Sequence, residues 1–261
     1  MKTLLLVLIS VLALYSYAQN VNIPDANFKA YLVGNTAINT NADTEIQVSE
    51  ATAFGGLIDC GSINVSDLSG IEAFTALTSL VCYGNQLTSL DVTQNTALTN
   101  LSCYYNLLTS IDVSQNTALT ELDCSANQLT SLDVTQNIAL EYLYCGPNQL
   151  TSLDVSYNTA LTYLFCQSNQ LTSVDVTQNA VLTNLNCNNN QLTSLDLSQN
   201  TALAYLICGA NNLFCLNVAN GNNSNFDDWI GIGGSFSALL NPNLNCIEVD
   251  DVAYSDTTWT V

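Results

Sequence analysis

Through the middle of the chain, apolar residues return in a fixed phrase of 21 residues, L-x-x-L-x-C-x-x-N-x-L-T-S-L-D-V-[ST]-x-N-x-x. Cys82, Cys103, Cys124, Cys145, Cys166, Cys187 and Cys208 mark the interval. A fixed period of this length predicts a solenoid, in which each unit buries the apolar face of the next. Within a unit, Leu80, Cys82 and Asn85 are echoed by Leu90, Val92 and Asn95. Each half alternates inward Leu, Cys or Val with other residues, which is the period-two signature of a strand. Neither half carries the continuous apolar stripe of a long helix. The pattern therefore predicts two short parallel strands per coil, with coils ~4.8 Å apart.

The phrase resembles the leucine-rich repeat signature L-x-x-L-x-L-x-x-N-x-L, with Cys in place of a core aliphatic, from about Ile58 to Leu213. The resemblance implies a right-handed solenoid, mostly β. Before the repeats, IPDANFKAYLVG predicts a short helix with Phe28, Tyr31 and Leu32 turned inward, as a cap over the open end of the stack. The chain then divides into a signal peptide (1–18), an N-terminal cap (19–57), the solenoid (58–213) and a C-terminal capping segment (214–261). The cap and the segment after Leu213 resemble those of secreted leucine-rich repeat proteins of Bacteroidetes-type bacteria.

The asparagines fall into two ladders, one headed by Asn85 and one by Asn95. An amide both donates and accepts, so each is expected to satisfy the backbone of a buried turn. The cysteines are expected to be small buried hydrophobes, since metal sites use local thiol clusters. In-register parallel strands are also expected to hold Cβ atoms near the strand spacing, too far apart for a disulfide ladder. Cys215 and Cys246 break the period, and outside the cell they are the disulfide candidates.

The N-terminus, MKTLLLVLISVLALYSYAQ, has a charged Lys2, an apolar run from Leu4 to Leu14, and small Ser16 and Ala18 before a cleavage point. Secretion or a bacterial cell-surface location is expected, and no later segment is long and apolar enough to cross a membrane. Charge narrows the function further. The 261 residues hold 22 acids, two lysines, no arginine and no histidine. Without Lys2, the formal charge is −21. Phosphate neutralisation needs Lys and Arg, so nucleic acid and anionic lipid are excluded as partners. Nucleophilic catalysis lacks an imidazole base. An enzyme is not expected, and a carboxylate pair of glycosidase type is the remaining enzymatic alternative.

Variation around the repeat points to recognition. Beside the inward Leu and Cys, the changing positions carry Tyr142, Tyr144, Tyr163, Phe165 and Tyr205, while Tyr83, Tyr104 and Tyr105 follow the Cys. Outward aromatics on a rigid sheet suit a protein or glycan ligand, possession of which would make the chain a non-enzymatic extracellular module, with adhesion as one setting. Cross-strand packing of tyrosines on one another is the competing account. The loop NTNADTEIQVSE resembles an EF-hand, with Asn39, Asn41, Asp43, Glu45 and Glu50 as calcium ligands, although Thr44 replaces the usual Gly. Its alternative is a metal-free loop that caps the next helix. Asp91, Asp112, Asp133, Asp154, Asp175 and Asp196 form a column read as a solvated acidic face, with calcium as the other reading. A hydroxyl array of Thr93, Ser114, Thr135, Ser156, Thr177 and Ser198 leaves ice binding as a further alternative.

Overall fold

The computed structural model describes residues 19–222 and 236–252. The signal peptide expected at 1–18 lies outside the described residues, as does part of the C-terminal segment. Two short helices cap one end, α1 (Ala26–Gly34) and α2 (Val48–Ala53). Asp25 starts α1 by accepting from the amides of Asn27 and Phe28 at 2.9 and 3.0 Å. Phe28 and Leu32 are fully buried, and the Tyr31 hydroxyl accepts from the Asp59 amide at 2.9 Å. The Phe54 ring then meets Phe74 of the first coil edge-on at 6.4 Å, which closes the end of the core.

Behind the cap stands a parallel sheet of three-residue strands: β1 (Leu57–Asp59), β2 (Ser79–Val81), β3 (Asn100–Ser102), β4 (Glu121–Asp123), β5 (Tyr142–Tyr144), β6 (Tyr163–Phe165) and β7 (Asn184–Asn186). It continues through β9 (Tyr205–Ile207) to β11 (Phe236–Ser237), nine strands in all. Equal spacing of the repeats sets the register. Leu80 pairs with Leu101, Leu101 with Leu122, and so on to Leu206, each fully buried. The flanking residues of β2 to β7 are half-buried and face outward. The fold is a mostly-β parallel solenoid of about eight coils. Cys60 supplies an eighth buried rung below Cys82, at an interval one residue longer than the rest. Among the described residues, no helix is long and apolar enough to cross a membrane.

The asparagine ladders stitch coil to coil. Asn169 Nδ2 donates to the carbonyls of Cys145 and Cys166 at 3.1 Å each, and its Oδ1 accepts from the Leu150 amide at 2.9 Å. Its side chain therefore closes its own turn and the turn of the preceding coil. The second ladder only donates. Asn137 Nδ2 reaches the carbonyls of Val113 and Asn116 at 2.9 Å, while its buried Oδ1 has no hydrogen-bond partner. Asn95, Asn116, Asn158, Asn179 and Asn200 share that unpaired acceptor.

The expectation of two strands in every coil needs correction. On the second face, only β8 (Ser194–Asp196), β10 (Cys215–Asn217) and β12 (Cys246–Glu248) form a sheet, with one isolated bridge between Asp91 and Asp112. The aspartate column does not bar pairing, since Asp91 and Asp112 form that bridge, and each of Asp91, Asp133, Asp154 and Asp175 turns its carboxylate to the amide and hydroxyl two residues on. The sheet closes where Asn217 breaks the aspartate series. Its Nδ2 donates to Asp196 Oδ1 at 3.1 Å, and the Leu197 amide reaches the Asn217 carbonyl at 2.8 Å.

Cys215 and Cys246 pair in register on β10 and β12, with Cα atoms 4.6 Å apart and their sulfurs joined. In-register parallel strands are therefore compatible with a disulfide here. The Cα separation lies inside the range a disulfide spans. The pair sits outside the core, flanking the inward Leu216, whereas all eight ladder cysteines are free and fully buried among leucines.

Candidate functional site

The outward positions of the nine-stranded sheet form one continuous face. Strand alternation, with Leu143 and Leu164 turned inward, forces Tyr142, Tyr144, Tyr163 and Phe165 to the same side. Tyr142 and Tyr163 stack with centroids 5.0 Å apart, and Tyr144 meets Phe165 edge-on at 5.4 Å. Asn184 and Asn186 of β7 interrupt the aromatic rows. Even so, Tyr205 on β9 reaches across that strand and stacks on Phe165 at 6.1 Å. These five rings form one block.

Tyr83, Tyr104 and Tyr105 form a second group. Tyr83 and Tyr104 stack almost parallel at 4.7 Å, and Tyr105 meets Tyr104 edge-on at 5.6 Å. Gly61 makes room for the first ring, since a Cβ there would lie 2.6 Å from Tyr83. Tyr105 is 67% exposed and has φ +52°, in a turn where the preceding coil places Gly84 at φ +64°. A bulky residue held there stores backbone strain, which elsewhere concentrates at binding sites.

Strand β4 lies between the groups and contributes Glu121 and Asp123, in register with Tyr142 and Tyr144. Glu121 Oε2 accepts from Asn100 Nδ2 at 2.6 Å. Asp123 accepts from the Ser125 amide at 3.0 Å. Burial pushes the Asp123 carboxyl above its ordinary pKa, despite the hydrogen bonds from Ser125. Burial also raises the Tyr144 phenol, with Glu121 and Asp123 adding to the effect. Burial raises Tyr104 as well, helped by Tyr83 and Asp123. Asp123 is thus felt from both aromatic groups.

No protein-family model matches the sequence. A stretch of 73 residues, 28% of this chain, is 43% identical to Internalin J of Listeria monocytogenes and spans 8% of that protein. The functional domain of InlJ from Listeria monocytogenes, which includes a cysteine ladder, superposes with a TM-score of 0.62 at 33% identity. That match covers 89% of this chain and 61% of the other. Here the ladder is the column of buried thiols from Cys60 to Cys208. The chain thus has a leucine-rich repeat fold similar to that of the InlJ domain, of which it spans less than two thirds. Internalin C2 of Listeria monocytogenes shares the fold at 19% identity and a TM-score of 0.59, over 87% of this chain and 99% of that one. A leucine-rich repeat protein of Leptospira interrogans shares it at 20% identity and a TM-score of 0.55, over 77% and 56% of the two chains.

The remaining candidates fall elsewhere. In the cap loop, Lys29 Nζ holds both oxygens of Glu45 at 2.7 and 2.8 Å. Asp43 accepts from the Glu45 amide and from the side chains of Asn41 and Gln47. Asn39 Nδ2 donates to the carbonyls of Val33 and Asp43. Glu50 accepts from the amides of Thr40, Asn41 and Gln47, and the last of these completes a capping box at the start of α2. Asp43, Glu45 and Glu50 do not converge: among the described residues, no group of three acidic, Cys or His side chains could hold a metal ion. On the far side, the Asp91, Asp133, Asp154 and Asp175 carboxylates each accept from the hydroxyl two residues on, at 2.7 Å. Those bonds, with the amides of the same residues (the amide leading at Asp175), hold the carboxyls below their usual pKa, and they commit the hydroxyl protons of Thr93, Thr135, Ser156 and Thr177.

Proposed function

We propose that the chain is a non-enzymatic, extracellular bacterial recognition module that binds a protein through its aromatic sheet face, with adhesion as its setting. The block of Tyr142, Tyr144, Tyr163, Phe165 and Tyr205 carries the reading. Its rings occupy adjacent coils of a rigid sheet, in a fold related to the internalins. Mutual stacking fixes the rings before a partner arrives, so little side-chain entropy is lost on contact. Tyr83, Tyr104 and Tyr105 extend the face beyond β4. The glycosidase alternative gains little from Glu121, which is tied to Asn100 on an open face. Ice binding gains little from hydroxyls whose protons already bond aspartate.

The test is a purified-protein binding array, followed by affinity measurements on each partner found. Joint replacement of Tyr142, Tyr144, Tyr163 and Phe165 by Ala is expected to weaken binding at least about a hundredfold, as for the loss of several interface anchors. Unchanged affinity for every partner, in a variant with native circular dichroism, would reject this face as the contact surface.

We read the 39–50 loop as a hydrogen-bonded cap rather than a calcium site, because its carboxylates are spent on Lys29 and on backbone amides. Calorimetric titration with calcium is expected to give no saturable heat. Burial pushes the Glu50 carboxyl up, but bonds from Gln47, Thr40 and Asn41 outweigh this and hold it below its ordinary value. Its stabilising contribution is thus present above that ordinary value and lost as pH falls through the lowered one. Glu50→Gln should cost about 1 kcal/mol at pH 7, as for a weakened cap. Saturable calcium binding that Glu50→Gln abolishes would overturn the cap reading.

A further inference from the structure

We propose that the partner presents a basic segment to this face, with an arginine or lysine seated against Asp123 between Tyr104 and Tyr144. The proposal rests on the aromatic-face reading and adds the chemistry of what binds there.

Asp123 has no counter-charge of its own. The described chain contains one basic residue, Lys29, and that ammonium is held by Glu45 in the cap. Burying a carboxylate is costly unless a cation or several donors compensate it, and Asp123 draws on Ser125 instead. A cation arriving from a partner would supply what the fold lacks. Its immediate surroundings suit one. Tyr104 and Tyr144 stand on the coils before and after Asp123, and ring faces attract ammonium and especially guanidinium groups. Glu121 lies on the same strand face and offers a second carboxylate two residues away. The whole chain, at a formal charge of −20, would also speed encounter with a positively charged surface. A neutral glycan would leave Asp123 uncompensated, which makes it the less favoured ligand.

The experiment uses fluorescein-labelled nona-arginine and its neutral nona-citrulline analogue, titrated with the mature chain in 0.15 M salt and followed by anisotropy. Nona-arginine is expected to bind, and nona-citrulline at least tenfold more weakly. Asp123→Asn should weaken nona-arginine binding about tenfold. Asp154→Asn removes the same formal charge from the opposite face and should change it less than twofold. Equal losses in these two variants would mean diffuse attraction and overturn the proposal, as would failure of the unaltered chain to bind.

Tyr144→Ala and Tyr163→Ala separate this proposal from the reading beneath it. If they weaken binding while Asp123→Asn does not, the cation seat falls and the aromatic face stands. If none of the three has an effect, the peptide binds elsewhere, and the cation seat falls in that case too.

Misfolding should not confuse the result. The raised Asp123 pKa means its contribution to stability is full below the ordinary carboxylate range and lost as pH rises through the raised value. Asp123→Asn is therefore expected to melt at or above the unaltered protein at pH 7. A lower midpoint would show that Asp123 is a structural group, and would overturn its assignment as a cation seat.

Discussion

Asn169→Ala is expected to lower the unfolding free energy by about 3–5 kcal/mol, measured by urea denaturation, although the residue touches neither the aromatic face nor a ligand. The change orphans the Leu150 amide and takes one of two donors from the carbonyls of Cys145 and Cys166, which keep Asn148 and Asn190. The orphaned amide costs about 1–3 kcal/mol, since the leucines around it offer no acceptor, and each bond lost by a still-paired carbonyl about 0.5–1.5 kcal/mol. Asn137→Ala on the other ladder should cost less, about 1–3 kcal/mol. It takes one of two donors from the Val113 and Asn116 carbonyls, which keep the amides of Asn116 and Leu119, and it deletes an Oδ1 that has no partner. Gln115→Ala, an exposed change in the same kind of turn, should fall within about 0.5 kcal/mol. The order Asn169, Asn137, Gln115 is the test. If Asn137→Ala proves as costly as Asn169→Ala, the acceptor bond to Leu150 contributes little and this account of the ladders fails.

The same contrast shows what a repeat reveals before any coordinates exist. Leu122, Cys124 and Asn127 recur at one spacing, and in a stack of coils equal spacing is equal position, so strands, core and turns follow from it. Departures from equality are harder to read. Cys60 stands one residue off the interval and still forms a rung, because the loop between coils absorbs the extra residue. The second strand looked as regular as the first, yet its aspartates meet their own kind across every step. Each carboxylate bonds the amide two residues on within its own coil, a local tie that spacing does not reveal. The second sheet closes only where Asn217 ends the series.

The site divides the same way. Alternation alone placed Tyr142, Tyr144, Tyr163 and Phe165 outward. It could not show that Tyr205, 40 residues beyond Phe165, would reach across β7 to stack on it. Nor could it show that Asp123, one polar residue among several at its position, would be half-buried between two groups of tyrosines. The EF-hand spacing of Asn39 to Glu50 is real as a spacing. Ligand positions on a loop say nothing about competing donors, and here the amides of Thr40, Asn41 and Gln47 reach Glu50.

The ladder thiols are expected to be inert in the folded chain and to appear all together when it unfolds. Burial pushes Cys60, Cys166 and Cys208 up to about 12 and lifts Cys82, Cys103, Cys124, Cys145 and Cys187 well above the ordinary value. A thiol near 12 has roughly a thousandth of the thiolate that an ordinary cysteine has at pH 7, and the thiolate is the reacting form. Full enclosure removes the approach path as well. Iodoacetamide should therefore label none of the eight free cysteines natively over hours, and all eight in denaturant without reductant, leaving Cys215 and Cys246 paired. The step should be cooperative, because one rung cannot be exposed without opening the neighbouring coils that cover it. Gradual labelling, one thiol at a time at denaturant concentrations below the transition, would mean that the coils open independently. The column would then be a set of separate sites rather than part of one core.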